Sequence, residues 1–216
     1  MFNILQQYIK TLQNIVTRKG SSKVLTFSAP HVFMALQLLS RQRYVSRAIF
    51  CNELHLGEGA IKTLISHLKE AGLVESIKAG TLLTKKGNLF VKKFLEVISS
   101  ECTVKKCEIA PARHNHAVIL KKYSKAIGNG MQQRDYSILY GAVGATTLVY
   151  KNNQFVFPTG KSDMLFDDRV TMNNLIKKLA PQEDDVVIIA SADEPFVAKI
   201  SAINSALWTL ATHHKN

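Results

Sequence analysis

The chain has 216 residues, with 28 Lys and Arg against 16 Asp and Glu, a formal net charge of +12. Hydrophobic residues make up 46% and charged ones 20%, the proportions of a folded protein, which excludes disorder as the main state. No apolar run approaches the roughly 20 residues of a spanning helix. The start, MFNILQQYIK, lacks the pattern of a secretory signal, so a soluble cytoplasmic protein with no membrane partner is expected. Three cysteines without framework spacing suit a reducing compartment rather than a disulfide scaffold.

The length suits two domains, and the charge is divided unevenly. Residues 1–110 hold 16 Lys/Arg and 7 Asp/Glu, a net of +9, whereas residues 111–216 hold 12 and 9, a net of +3. Such asymmetry points the first half at a polyanion.

In chain order, residues 2–18 predict an amphipathic helix. Phe2, Leu5, Ile9, Leu12 and Val16 form a seam suited to a homodimer, or to burial on the chain's own core. Residues 18–22 break it. A second helix follows Pro30, which fits a first turn. Ser46 can cap a short helix from Arg47 to Leu54. A third runs from Glu58 to Ala71 and stops at Gly72. Its inner face holds Ile61, Leu64, Ile65 and Leu68, and its outer face Lys62, Thr63 and Ser66. Strands over 73–77 and 81–84 flank the turn Lys78-Ala79-Gly80. Thr84 then caps a helix through Ser99. This succession is that of a winged helix-turn-helix.

Residues 101–112 read as a linker, giving domains 1–107 and 108–216. The second half predicts a strand over 117–120, a helix over 131–140 after Gly128-Asn129-Gly130, and a hairpin over 146–157. A helix over 170–179, a buried strand over 185–190 and a last helix over 194–212 complete it. The expected fold class is α+β: a winged helix-turn-helix followed by an α/β domain with a mixed sheet.

The stretch LGEGAIKTLISHLKEAGLVE with the later LLTKKG resembles the winged-helix domain of transcription regulators. Its pattern is similar to the N-terminal domain of the central glycolytic genes regulator family, over about residues 30–98. Gly57 stands where such domains usually have a Ser or Thr cap. The motifs GNGMQQRDYSILYGAVGATTLVY and DVVIIASADEPFVAKISAINSAL resemble an archaeal domain of unknown function that follows such winged helices. The resemblance implies a regulatory setting and supplies no reaction and no ligand.

Double-stranded DNA is therefore the expected partner. Lys62 and Ser66 are placed to meet base edges or phosphates and Thr63 to offer its methyl to thymine, with Arg47, Lys69 and Lys78 placed to hold phosphates. A polar or anionic metabolite is the second expected partner, at a site of Gly128, Gly130, Gln133, Arg134 and Asp135 with Ser191 and Asp193. The physical basis is free amides at helix starts beside a bidentate guanidinium.

Cys102, Cys107, His114 and His116 supply zinc-type ligands at loose spacing and are assigned no metal. No cofactor motif occurs, since GNGMQQ lacks both GxGxxG and the P-loop lysine. No catalytic constellation appears, so an enzyme is not expected. Two alternatives stay open, an enzyme in the second half and an RNA-binding protein.

Overall fold

A computed structural model describes residues 2–17, 25–158 and 168–212, and for residues 2–6 the backbone only. The break at 18–22 and the side chains of Phe2 and Leu5 lie outside the described residues. Among the described residues, no helix is long and apolar enough to cross a membrane. The chain divides into two compact units, Met1–Phe94 and Leu95–Asn216.

The first unit contains α1 (Phe2–Ile15), α2 (Ala29–Arg41), α3 (Arg47–Leu54), α4 (Glu58–Glu70), β1 (Val74–Ile77), β2 (Gly80–Leu83) and α5 (Lys85–Leu95). The α1 seam turns inward. Ile9, Leu12 and Ile15 are buried, Tyr8 packs edge-on against Phe90 at 4.8 Å, and the Ile15 carbonyl lies 2.6 Å from Nδ1 of His67. Those three side chains belong to the unit's own core.

At the start of α2, Nδ1 of His31 accepts from the Ser28 amide at 3.3 Å and lies 2.9 Å from Ser28 Oγ. Burial pushes the His31 pKa down to about 4, so its imidazole is neutral at pH 7.

Gly72 adopts φ +72° after α4, which lets the Leu73 amide reach back to Leu68 O at 3.0 Å and closes the helix. The hairpin then pairs Val74 with Leu83 and Ile77 with Gly80. Val45, just before α3, exchanges both backbone hydrogen bonds with Thr81 at 2.8 and 2.9 Å. A Cβ on Gly80 would lie 2.6 Å from Val45 O, so this crossing needs glycine. Thr84 ties the hairpin's return to α5. Its hydroxyl donates to Gly72 O at 2.7 Å and accepts from the Gly87 amide at 3.0 Å. Helices α2, α3 and α4, then the hairpin and the closing α5, stand in an order consistent with a winged helix-turn-helix.

The second unit contains β3 (Ile98–Val104), β4 (His114–Leu120), α6 (Met131–Ile138), β5 (Gly144–Lys151), β6 (Gln154–Val156), α7 (Arg169–Leu179), β7 (Val186–Ala192) and α8 (Pro195–Thr212). The strand order is β3-β4-β7-β5-β6, and every neighbouring pair is antiparallel. This corrects the expected mixed sheet. β4 and β5 both run opposite to β7 and therefore parallel to each other, but β7 lies between them.

A second correction concerns residues 98–104. They form strand β3 rather than a helix end and a linker, and the units divide at 94/95 rather than 107/108. A register shift between Ile98 and Glu101 breaks the alternation that would have betrayed the strand.

The sheet is covered on both faces. Leu175 and Leu179 of α7 pack on Ala117, Ile119, Leu148, Val187 and Ile189. On the opposite face α8 lies over β4 and β7, and α6 over β5. Every residue of β7 is buried, as a central strand between two helical layers requires.

Candidate functional site

The first 94 residues carry 14 Lys and Arg but only four Asp and Glu: Glu53, Glu58, Glu70 and Glu75. Within this unit, the exposed side of α4 and the hairpin enclose a groove of about 510 Å³. Arg47, Lys62, Lys69 and Lys78 line it, along with Ser76 and Ile77. The four cations come from three places in the chain: the start of α3, α4 and the hairpin tip. The Val45–Thr81 bridge sets the tip against the start of α3.

Lys62, Ser66 and Lys69 share one stripe of α4, while Thr63 is turned about 100° away. Both Thr63 and Ser66 are exposed, and neither lines the groove. The Thr63 hydroxyl donates to Gly59 O at 3.1 Å, which leaves its methyl outward. The Ser66 hydroxyl reaches Glu70 Oε1 at 3.5 Å, the outer limit of a hydrogen bond.

Sequence reasoning missed Glu58, the first residue of α4. Its Oε1 accepts from Lys62 Nζ at 3.1 Å and from Arg47 Nη1 at 3.3 Å. The hydrogen bond from Lys62, then the charges of Lys62 and Arg47, hold its carboxyl below the usual carboxylate range, so it is ionised at neutral pH. All three side chains are more than half exposed, and such pairs add little to stability. Among the described residues, Lys69 and Lys78 have no acidic partner.

The metabolite site is not assembled, which corrects the expectation for the second unit. Gly130 starts α6 at φ +82°, and a Cβ there would touch Thr147 at 3.2 Å. Thr147 pairs with Ile188, whereas Ser191 pairs with Gly144 and Asn115. Three residues along β7 separate the two places by about 10 Å. The alternation of β7 also puts Ser191 on the α7 face and Thr147 on the α6 face.

Gln133 is buried and bonds helix to helix. Its Nε2 donates to Thr209 Oγ1 at 3.1 Å, and its backbone carbonyl accepts from Ser205 Oγ at 2.8 Å. Ser191 is buried within β7. Arg134 pairs with neighbouring Asp135 at 3.6 Å, both well exposed. Asp193 is exposed beyond β7. Gly128 has open space where a Cβ would stand.

The cysteine–histidine set is also divided. Cys102 and Cys107 pack against the α7-side core, and burial raises the Cys102 thiol pKa. His116 lies on the opposite face, where its Nε2 meets Glu101 Oε2 at 3.2 Å, and Lys199 Nζ stands 3.7 Å from Glu101 Oε1. This enclosed trio had no signal in the sequence, since β3 itself was not recognised.

Comparison with known proteins finds a shared fold over most of the chain and a family match within the second unit. No curated protein matches the chain significantly. A solved structure, described as hypothetical protein PH0730 from Pyrococcus horikoshii OT3, superposes with a TM-score of 0.65. It is 24% identical, with 88% of this chain and 96% of that one covered, and so shares the fold. Residues 111–210, within the sheet-bearing unit, match the family model described as "Domain of unknown function (DUF4443)".

Proposed function

We propose that the protein is a DNA-binding transcription regulator whose first unit grips duplex DNA through the groove between α4 and the hairpin. The observation that carries this reading is the convergence of Arg47, Lys62, Lys69 and Lys78 on that groove, in a unit with 14 basic and four acidic residues. A helix with an exposed polar stripe beside a cationic hairpin can enter a major groove while the hairpin holds the adjoining backbone. Lys62 and Ser66 then face base edges, and Arg47, Lys69 and Lys78 face phosphates. Thr63, turned from the groove, offers its methyl at the helix flank.

Titration of the full chain with labelled duplex at several salt concentrations tests the reading. Each phosphate neutralised contributes roughly 0.9 to the slope of log affinity against log salt. Lys69→Ala and Lys78→Ala should each flatten that slope by about one contact and leave sequence preference intact, whereas Lys62→Ala should alter preference. Affinity independent of salt refutes the groove as a phosphate site. Stronger competition by single-stranded or duplex RNA than by DNA would replace this reading with RNA binding.

A further inference from the structure

We infer that Glu58 is a specificity-determining residue of this groove, whose carboxylate selects a cytosine; the inference rests on the DNA-binding reading above. Phosphate contact alone would favour an acid-free groove, yet one of the unit's four carboxylates pairs with two of the cations that line it. A first-turn acid is favourable beside a helix N-terminus, and that accounts for an acid there. It does not account for two groove-lining cations, one from α3 and one a turn along α4, converging on the same oxygen. Lys62 and Arg47 both engage Oε1. Among the described residues, Oε2 has no hydrogen-bond or ion-pair partner. The carboxylate is ionised, so Oε2 can only accept.

An obligate acceptor at the front of a helix in the major groove discriminates among the four bases by repulsion as well as attraction. Guanine presents N7 and O6 and thymine presents O4, all acceptors that repel it. Adenine offers its N6 amine next to the N7 acceptor, a mixed edge. Cytosine alone presents the N4 amine with no adjoining acceptor on its own edge. Arg47 and Lys62 hold the carboxylate for that contact, and both keep further N–H donors for phosphate or a neighbouring guanine. The same negative charge opposes loose phosphate binding, so it suppresses non-specific association as it rewards the correct base.

The test selects full-length wild-type and Glu58→Gln protein on a duplex pool randomised at its centre. Retained sequences are compared, and affinity for one non-specific duplex is measured. Gln keeps the length and can still accept, but also donates and is neutral. Wild type should retain one strongly required cytosine, whose replacement weakens binding about 5- to 150-fold. In Glu58→Gln that requirement should fall below about twofold or pass to adenine, with other positions unchanged and non-specific affinity raised. Identical selected sites and equal non-specific affinity for the two proteins overturn the inference while leaving DNA binding standing. So does a wild-type protein that binds duplex without base preference. A wild type that retains no duplex at all overturns the DNA-binding reading itself. A purely structural role for Glu58 would shift thermal stability without moving the base preference.

Discussion

Replacing Gly87 with Ala sets helix propensity against close packing. Gly87 is the third residue of α5, where Ala is ordinarily favoured by about 1 kcal/mol. An added Cβ would stand 2.0 Å from the Leu73 carbonyl oxygen and 2.9 Å from its carbon. The oxygen cannot retreat freely, because it accepts from the Thr84 amide at 3.0 Å. Relief needs a separation of more than about 1 Å between α5 and the start of the hairpin. Overpacking costs about 1–3 kcal/mol and the strained hydrogen bond about 1 more. After the propensity gain, a net loss of about 1–3 kcal/mol is expected, or a fall of roughly 4–24 °C in the melting of a unit this size. Gly59→Ala is the control. It lies in α4 with nothing within 4 Å of its would-be Cβ and should gain about 0.5–1 kcal/mol. Far-UV circular dichroism follows the helices of both units, and Trp208, the sole tryptophan, follows the second alone, so a loss of helical signal before the Trp208 transition reports the first unit. A Gly87→Ala protein melting at or above wild type would refute the packing argument.

Asp185 is fully buried and accepts from Lys121 Nζ at 2.8 Å, Lys122 N at 2.9 Å and Gln182 N at 2.7 Å. Asp185→Ala strands those donors and should cost about 3–5 kcal/mol, read from urea unfolding by Trp208 fluorescence. The first unit should weaken as pH falls from 6.5 toward 4. The folded His31 pKa, about 4, lies below its ordinary 6.5, so in that window the unfolded chain takes a proton that the folded one refuses. His31→Gln should flatten this dependence in melting curves taken across the window. Leu12→Ala should cost about 2–5 kcal/mol by denaturant unfolding. Ile9→Asp with Leu12→Asp should unfold the unit, seen as lost helical dichroism, rather than yield folded monomers in sedimentation.

The first unit was legible because its punctuation is local. Gly72 ends α4, Lys78-Ala79 turns the hairpin and Thr84 starts α5, and each acts within a few residues of itself. The cationic outer stripe of α4 follows from 3.6-residue periodicity. Glu58 was not legible, since a first-turn acid reads as a helix-end residue until folding brings Arg47 across to it. β3 escaped because its bulge puts Ile98 and Cys102 on opposite faces despite their even spacing. The run VVIIA was read correctly as buried, but burial on two faces does not reveal direction. The metabolite loops failed for the same reason: they were joined by a rule about parallel strands that this sheet does not obey.

The place of β7 between β4 and β5 bears on how the second unit is made. β4 and β5 are synthesised first and run alongside each other with a strand's width between them, and the element that joins them comes later. Its partners lie far back along the chain, from Leu120 with Val186 to His114 with Ala192, separations of 66 to 78 residues. Closing such loops precedes any reward from pairing, which slows folding. Until residues 186–192 leave the ribosome, two apolar strands present unpaired edges, the condition in which chains join one another instead of themselves. The sheet closes from its centre, and its last strand converts two separate halves into one.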